Sequence, residues 1–151
     1  MTELPMTTEK QQSLREKRDA VVFEHVHAEN RHDVAAAVAT FHTPCYRVMP
    51  MGIVHDGEQA VGELLSGIFK GFPDFTVDID KTYHSEDAVV LEMKMKGTHL
   101  GDWAGLKATG RSMDVPIVCI FEFEGDRLTC EKVYFDMATL VNQLNPSTGQ
   151  Q

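Results

Sequence analysis

The spacing of apolar residues changes abruptly at the segment GFPD, Gly71–Asp74, and this change most constrains the fold. Before it, apolar residues recur every three or four positions from Gly57 to Phe72, which is the period of an amphipathic α-helix. After it, apolar and polar residues alternate from Phe75 to Asp80, which is the period of a β-strand. Helices followed by strands predict an α+β domain.

The other predicted elements fit the same order. Thr8 starts a capping-box pattern and a helix that runs to about Asn30, and a short helix follows Asp33. The proline- and glycine-punctuated segment Thr43–Gly57 predicts a small hairpin or arm. Three further alternating segments complete a four-stranded antiparallel meander, and a short helix begins after Asp136.

Composition limits the class of partner. The 151 residues, 42% hydrophobic and 25% charged, predict one domain over 1–151, with an ordered core at about 8–145 and loose ends at 1–7 and 146–151. The net charge of −9 argues against a nucleic-acid partner. The apolar stretches fall short of the roughly 20 residues that span a bilayer, and the first residues lack a secretory layout. We therefore expect a cytoplasmic protein with no membrane partner.

The cysteines and histidines indicate neither a disulfide framework nor a metal centre. The three cysteines are odd in number and widely spaced, which suits reduced, mostly buried thiols. The seven histidines include no pair at i,i+4 and no HExxH pattern. We therefore expect no metal site.

The segment from Ile117 to Phe123 is apolar on both faces of its predicted strand. One face carries Ile117, Cys119, Phe121 and Phe123, and the other carries Val118 and Ile120. Because the predicted helices supply cover for one face only, a second subunit is the simplest cover for the other. The sequence thus predicts a homodimer, and the alternative is an exposed apolar patch.

Four segments, in their order and spacing, resemble one family. They are ENRHDVAAAVATFHTPCYRVMPMG, GFPDFTVDIDKTYHSEDAVV, GTHLGDWAGLKATGRSM and FEFEGDRLTCEKVYFDMATLVNQLN, and they cover about residues 20–145. They resemble the nuclear transport factor 2-like α+β cone, and within it the SnoaL-like polyketide cyclases and ester cyclases. The resemblance implies N-terminal helices packed on a curved antiparallel sheet, a conical cavity that holds a small hydrophobic ligand, and dimers that pack sheet to sheet.

The resemblance also implies a chemistry. In these cyclases an acidic residue near the last strand removes a proton from a carbon flanked by carbonyls. The enolate attacks a second carbonyl of the same molecule, and the acid returns the proton to the new alkoxide. Asp136 matches that residue by its place after VYF and before the terminal helix, and no metal or organic cofactor is needed. The other interpretation is that Asp136 only caps this helix.

Further candidates belong to the same expected cavity. His99 is a catalytic candidate that would donate to a substrate oxygen or relay a proton, and the other interpretation is a loop or rim residue. The candidate ligand contacts are Tyr46, Met51, Tyr83, Trp103, Glu122 and Tyr134. Each also has a purely structural explanation as a packing residue or, for Glu122, as the point where a strand face emerges into water. At Val133 many relatives carry a large aromatic residue or a histidine, so we expect this pocket to lack one stacking or hydrogen-bonding group.

Three functions stay open at this point. The first is a cyclase acting on a small hydrophobic molecule that contains carbonyl groups. The second is an isomerase or epoxide hydrolase in the same cone, for which Asp102, Arg111 and Asp136 are the candidates for an Asp-Arg-Asp cluster. The third is a ligand-binding or dimerisation module without catalysis, which is favoured if Asp136 is wholly engaged as a helix cap.

Overall fold

A computed structural model describes residues 8–145, and the ends predicted to be loose, 1–7 and 146–151, lie outside the described residues. The helices are α1 (Glu9–Asn30), α2 (Val34–Ala39), α3 (Glu58–Gly71) and α4 (Met137–Leu144). The strands are β1 (Cys45–Val48), β2 (Ile53–Asp56), β3 (Thr76–His84), β4 (Ala88–Thr98), β5 (Ser112–Glu124) and β6 (Arg127–Phe135), with a 3-10 turn at Met49–Met51. The predicted α+β class is confirmed. No helix within residues 8–145 is long and apolar enough to cross a membrane.

Two helices begin at the caps that the sequence predicts. The backbone N–H of Gln11 donates to Thr8 Oγ1 at 3.1 Å, and the Thr8 N–H donates to Gln11 Oε1 at 2.8 Å, which completes the capping box of α1. Asp33 caps α2 by accepting from the N–H of Ala36 at 3.1 Å. These side chains satisfy backbone donors that have no partner inside the helix.

The six strands form one curved, open sheet in the order β2-β1-β6-β5-β4-β3. Strands β3 to β6 pair antiparallel with their successive neighbours, which is the predicted meander. The predicted hairpin is present as β1 and β2. It also extends the sheet from the expected four strands to six, because β1 pairs in parallel with β6. This pairing joins residues far apart in the chain, so no local pattern indicates it.

The two faces of the sheet differ in burial. On β5 the side chains of Ile117, Cys119, Phe121 and Phe123 are buried on the inner face, toward the helices. Val118 and Ile120 alternate with them and are only half-buried on the outer face. The hydrophobic core therefore lies between the inner face and the helices.

The loop between β4 and β5 packs tightly against the end of α3. The N–H groups of Leu100 and Gly101 donate to the Gly71 carbonyl at 3.0 and 3.1 Å. A Cβ atom added at Gly71 would lie 2.8 Å from the Cβ of Trp103. The absence of a side chain at Gly71 thus lets Trp103 approach the backbone of α3.

Candidate active site

A cavity of about 270 Å³ lies between the inner face of the sheet and α3. Its largest apolar lining residues are Phe72, Phe75, Trp103, Phe135, Met51, Met93, Met95 and Met113. The cavity volume lies just below the range of about 300–1,000 Å³ that is usual for drug-sized ligands. The cavity therefore suits a small, largely apolar molecule.

A group of polar side chains reaches this apolar cavity from four different elements. Glu29 comes from α1, Tyr46 from β1, Cys119 from β5 and Glu131 from β6, and all four line the cavity. His25, one turn before Glu29 on α1, lies behind them. We call these five residues the polar cluster. Tyr46 and Glu131 are register partners in the parallel pair of β1 and β6, which explains why they meet.

His25 connects the two carboxyl groups of the polar cluster. Its Nε2 lies 2.7 Å from Glu29 Oε1 and 2.8 Å from Glu131 Oε1. Its Nδ1 lies 2.8 Å from Thr40 Oγ1, and the Thr40 hydroxyl already donates to the Ala37 carbonyl at 2.6 Å. Thr40 must therefore accept a hydrogen from Nδ1. Because two carboxyl groups face Nε2, that nitrogen is assigned a hydrogen as well, and His25 is an imidazolium.

The pKa of His25 is raised to about 10. Burial alone would lower this pKa, but the negative charges of Glu29 and Glu131, each with an oxygen within 2.8 Å of Nε2, outweigh burial. Burial raises the pKa of Glu29, while the charge of His25 acts in the opposite direction. One imidazolium thus faces two carboxyl groups, and burial favours the neutral form of Glu29.

Tyr46 and Cys119 are neutral near pH 7. Burial raises the pKa of both groups, and the negative charges of Glu131 and Glu29 raise them further. The Cys119 thiol therefore lacks the thiolate character that a nucleophilic cysteine needs. The phenol and the thiol act as hydrogen-bond donors rather than as charged groups.

Within residues 8–145, three members of the polar cluster lie close enough together to bind one metal ion. The ligand atoms of His25, Glu29 and Glu131 lie within 4.8 Å of one another. The prediction of no metal site considered only the spacing of histidines and overlooked this group. In the structure the imidazolium of His25 supplies the positive charge between the two carboxyl groups.

Asp136 lies at the start of α4 and outside the cavity lining, which corrects the predicted position of its carboxyl group. Its Oδ1 accepts from the Ala138 N–H at 3.1 Å and its Oδ2 accepts from the Thr139 hydroxyl at 2.8 Å. The Thr139 bond, followed by the Ala138 bond, lowers the pKa of Asp136, whereas a buried general base would have a raised pKa. The side chain is exposed. This geometry supports the capping interpretation.

His99 is fully buried but does not line the cavity. Its Nδ1 lies 3.1 Å from Thr109 Oγ1, and its ring stacks on Phe72 with centroids 5.2 Å apart. Its Nε2 has no hydrogen-bond partner among residues 8–145. His99 is therefore separated from the cavity by a lining side chain, and its catalytic role stays a prediction.

Three of the six predicted ligand contacts line the cavity: Tyr46, Met51 and Trp103. Tyr46 is part of the polar cluster, Met51 ends the 3-10 turn after β1, and Trp103 packs against Gly71. The structure therefore brings these three to the same space from separate parts of the chain.

The other three predicted contacts, Tyr83, Glu122 and Tyr134, lie outside the cavity lining, which corrects their predicted position. Tyr83 and Tyr134 are each 39% exposed, and Glu122 forms an ion pair with Lys132 at 3.4 Å on the outer face. Successive side chains of a strand point to opposite faces. Tyr134 therefore points away from the cavity that its neighbour Val133 lines.

The candidates for an Asp-Arg-Asp cluster are not brought together at the cavity. Asp102 Oδ1 accepts from the Ala108 N–H at 3.0 Å, and Arg111 Nε donates to the Gln143 carbonyl at 3.1 Å. Asp136 caps α4, and none of the three residues lines the cavity. The arrangement expected for an epoxide hydrolase of this kind is therefore not formed by the described residues.

Sequence reasoning missed four members of the polar cluster, His25, Glu29, Cys119 and Glu131. A signal was present on α1, where Val22, His25, Val26 and Glu29 have the i, i+3, i+4, i+7 spacing of one helix face. A histidine and a glutamate on an apolar stripe must both face the core, where each needs a partner. A pattern restricted to histidine pairs, or to an acid after the last strand, does not include them.

Helices packed on an open, curved sheet of six strands define the nuclear transport factor 2-like, ketosteroid isomerase-like α+β fold. The family model of the SnoaL-like polyketide cyclases matches residues 20–144. The chain belongs to this family, as the resemblance predicted. No curated protein matches the sequence significantly.

Solved structures of similar fold extend over nearly the whole chain. A protein from Jannaschia sp. CCS1, assigned as a SnoaL-like polyketide cyclase, is 16% identical with a TM-score of 0.78, covering 97% of this chain and 98% of that one. AclR from Streptomyces galilaeus, assigned as a hydroxylase, is 23% identical with a TM-score of 0.72, covering 85% and 81%. A protein of ketosteroid isomerase-like fold from Catenulispora acidiphila DSM 44928, in complex with trimethylamine, is 17% identical with a TM-score of 0.73, covering 87% and 96%. At these identities the similarity shows a common fold.

Proposed function

We propose that the protein binds a small hydrophobic molecule containing carbonyl groups and catalyses proton transfer at the carbon next to a carbonyl, as in an intramolecular aldol-type cyclisation. The observation that carries this proposal is the polar cluster at a largely apolar cavity, which His55 and Glu63 also line. Glu131 is only 1% exposed, yet it lines the cavity and is therefore accessible to a bound ligand. Membership of the cyclase family supports the same reaction type.

Glu131 is the proposed general base. Its carboxyl group lines the cavity, so it is placed to take a proton from a weakly acidic carbon of a bound ligand. Tyr46 lies beside it with a neutral hydroxyl, which is suited to donate to the carbonyl oxygen as negative charge develops there. The chemistry needs a base, a donor and a dry site, and no step requires a metal or an organic cofactor.

Proton abstraction can be tested without knowledge of the natural substrate. Small cyclic ketones and 1,3-diketones are incubated with the protein in deuterium oxide, and uptake of deuterium at the carbon next to the carbonyl is followed by NMR. We expect the protein to accelerate uptake and Glu131→Gln to lose roughly 10²-fold or more of that acceleration. Binding without uptake would favour a ligand-binding module instead, and uptake without ring closure would favour an isomerase.

The same experiment needs a check that the ligand occupies the cavity. Trp103 is the single tryptophan of the chain and lines the cavity, so its fluorescence reports occupancy. Val133→Phe adds an aromatic ring at a cavity-lining position, and it should weaken both the fluorescence change and deuterium uptake. An unchanged response in a folded Val133→Phe protein would locate the ligand elsewhere.

A homodimer that packs through the outer face of the sheet is part of the proposal. Half-buried Val90, Val118 and Ile120 lie on this face, with the exposed Tyr83 and Tyr134 beside them in register. A second subunit would remove these apolar side chains from water. The polar cluster faces the opposite side of the sheet, so the interface leaves the cavity accessible.

A further inference from the structure

We infer that the polar cluster holds one proton in addition to those of the His25 imidazolium, and that Glu29 carries it, so that a carboxylic acid lies beside the Glu131 carboxylate at the cavity. This inference rests on the proposed function and deepens it, because a cyclisation needs a general acid as well as a base. It assigns a catalytic role to a residue of the first helix.

Three buried atoms of the cluster converge without hydrogen-bond partners: His25 Nε2, Glu29 Oε1 and Glu131 Oε1. The two oxygens lie 2.7 and 2.8 Å from Nε2, which is close enough for ionic attraction. However, Nε2 carries a single hydrogen that cannot point at both oxygens, and neither contact has the direction of a hydrogen bond. The Oε1 atoms of Glu29 and Glu131 are therefore both left without a donor.

The charges of the cluster do not balance when both carboxyl groups are ionised. The imidazolium supplies one positive charge against two negative ones, and Tyr46 and Cys119 are neutral. His25, Glu29 and Glu131 are each at most 5% exposed, and within residues 8–145 no lysine or arginine lines the cavity. The other titratable residues of the lining, half-buried His55 and exposed Glu63, are not members of this buried cluster. An uncompensated buried charge is strongly unfavourable. One added proton removes it.

The surroundings place this proton on Glu29. Glu29 is the next-to-last residue of α1, where the negative end of the helix dipole disfavours an ionised carboxylate. Glu131 is on a strand and interacts with the Tyr46 hydroxyl and the Cys119 thiol, two neutral donors that stabilise its charge. Burial raises the pKa of Glu29, in agreement with this placement.

The two carboxyl groups then act in opposite directions during ring closure. Glu131 takes a proton from the carbon between two carbonyls, and the electron pair of the broken C–H bond forms the enolate. The enolate carbon attacks the second carbonyl, a C–C bond forms, and the electron pair of the C=O π bond moves to oxygen. That oxygen takes the proton of Glu29. Glu131 ends the step protonated and Glu29 ends it ionised.

His25 is a positioning residue that can restore the starting state. Its Nε2 gives a proton to Glu29 and then accepts the proton held by Glu131, since it lies within 2.8 Å of an oxygen of each. Thr40 fixes the ring by accepting from Nδ1 at 2.8 Å. Thr40→Val should therefore slow turnover in successive cycles more than the first cycle, which pre-steady-state kinetics would resolve.

The protonation states are measurable without a substrate. Protein labelled with ¹³C at the glutamate side-chain carboxyl carbons is examined by NMR at pH 7. We expect one signal of a neutral carboxylic acid, which disappears in Glu29→Gln. In Glu131→Gln, Glu29 alone faces the imidazolium, so its signal should move to the ionised position. Glu24→Gln, an exposed position on the same helix, is the control and should leave both buried signals unchanged.

Three results would overturn the inference. Two ionised carboxyl groups at pH 7 would show that the extra proton does not exist. A neutral signal that persists in Glu29→Gln and disappears in Glu131→Gln would place the proton on the other residue. A stoichiometric metal ion in the purified protein, bound by His25 Nε2 and both glutamates, would replace the proton by a cation.

Kinetic measurements separate this inference from the proposed function. Glu29→Gln should keep deuterium uptake within about tenfold and lose ring closure by roughly 10²-fold, whereas Glu131→Gln should lose both. Equal loss of both reactions in Glu29→Gln would contradict the assigned role as the acid. If the wild-type protein shows no uptake while NMR finds Glu29 protonated, the proposed function fails and the assignment of the proton stands.

Discussion

Tyr46 and Glu131 are register partners in the only parallel strand pair among residues 8–145, so a phenol and a carboxylate lie side by side toward one cavity. The other strand pairs of the sheet are antiparallel and join successive neighbours or the β1–β2 hairpin. The proposed donor and base are therefore neighbours only because β1 pairs with the last strand, β6, although the two strands are far apart in the chain. The site depends on this long-range pairing.

Tyr46→Phe tests the donor role that this pairing implies. The substitution removes one buried hydroxyl and keeps the ring, so the fold should be retained. Loss of a donor to a developing oxyanion should reduce deuterium uptake by roughly 10²-fold. Tyr134→Phe is a matched control on β6, because its hydroxyl lies on a 39% exposed side chain outside the cavity lining. Equal rates in both variants would contradict the donor role of Tyr46.

The raised pKa of His25 predicts a loss of stability in mild alkali. A histidine whose folded pKa is about 10, against 6.5 in the unfolded chain, stabilises the fold fully below pH 6.5 and loses that contribution as the pH approaches 10. Glu29 acts in the same direction, because its pKa is also raised in the folded state. The shift of His25 corresponds to at most about 5 kcal/mol.

Melting temperatures between pH 6.5 and pH 10 measure this effect, and ¹⁵N NMR of the histidine rings identifies the group that titrates. We expect the melting temperature to fall through this window, while the His25 ring of the folded protein keeps its proton until the pH approaches 10. A constant melting temperature, or a His25 ring that is already neutral at pH 7, would contradict the charged state assigned to the polar cluster.

The helices and strands were predictable from local pattern because each has a local cause, whereas the pairing of β1 with β6 was not. The three- to four-residue spacing before Gly71 predicted α3, and the alternation after it predicted β3. The caps Thr8 and Asp33 predicted where α1 and α2 begin, since a capping side chain bonds to backbone only two or three residues away. Such signals lie within one element and need no knowledge of its neighbours.

The polar cluster could be predicted only in part, because its members come from four elements that are distant in sequence. Tyr46 was identified as a candidate, but nothing near it in the chain indicates that it pairs with Glu131. Asp136 illustrates the opposite problem, since a helix cap and a catalytic acid have the same local pattern. Only the direction of the side chain separates the two, and direction depends on the packing of the whole sheet.

Gly71 is expected to tolerate no side chain, because Trp103 occupies the space beside it. A Cβ atom at position 71 would lie 2.8 Å from the Cβ of Trp103, so Gly71→Ala should displace the indole and destabilise the protein by about 1–3 kcal/mol. Gly67→Ala is the matched control on α3, where a Cβ atom meets nothing within 4 Å. Alanine there should stabilise the helix by up to about 1 kcal/mol.

Chemical denaturation and Trp103 fluorescence measure these two glycine variants. Gly71→Ala should lower the free energy of unfolding and change the emission of the indole, while Gly67→Ala should leave the emission nearly unchanged. Similar stabilities for the two variants would show that the loop between β4 and β5 moves to accommodate the added methyl group without loss of stability. The contact between Gly71 and Trp103 would then not be needed to position Trp103 at the cavity.

The proposed homodimer predicts a mass of about twice 16.9 kDa in light scattering at micromolar concentration. Val118→Glu places a charge on the outer face, where it would be buried against a second subunit, so it should produce monomers. Val54→Glu, on the edge strand β2 at a 57% exposed position, is the control and should leave the mass unchanged. A monomeric wild-type protein at this concentration would rule out the proposed interface.

Asp136→Asn distinguishes a helix cap from a catalytic acid at the start of α4. Asparagine is about as good an N-cap as aspartate, so the helix should be retained and the stability at pH 7 should change little. Because Asp136 is exposed, lies outside the cavity lining and has a lowered pKa, we expect deuterium uptake and ring closure to stay within about twofold of wild type.

The lowered pKa of Asp136 also predicts how stability depends on pH. The stabilisation by the wild-type cap is present above the unfolded pKa of 3.8 and is lost as the pH falls below it, whereas the stabilisation by an asparagine cap should not change with pH. Asp136→Ala should lower the melting temperature at pH 7, because it removes the acceptor for both Ala138 and Thr139. Turnover and melting temperature are measured on the same preparations of both variants. A loss of turnover of roughly 10²-fold in well-folded Asp136→Asn, with Glu131→Gln still active, would assign the base to Asp136 and show that the polar cluster serves only the fold.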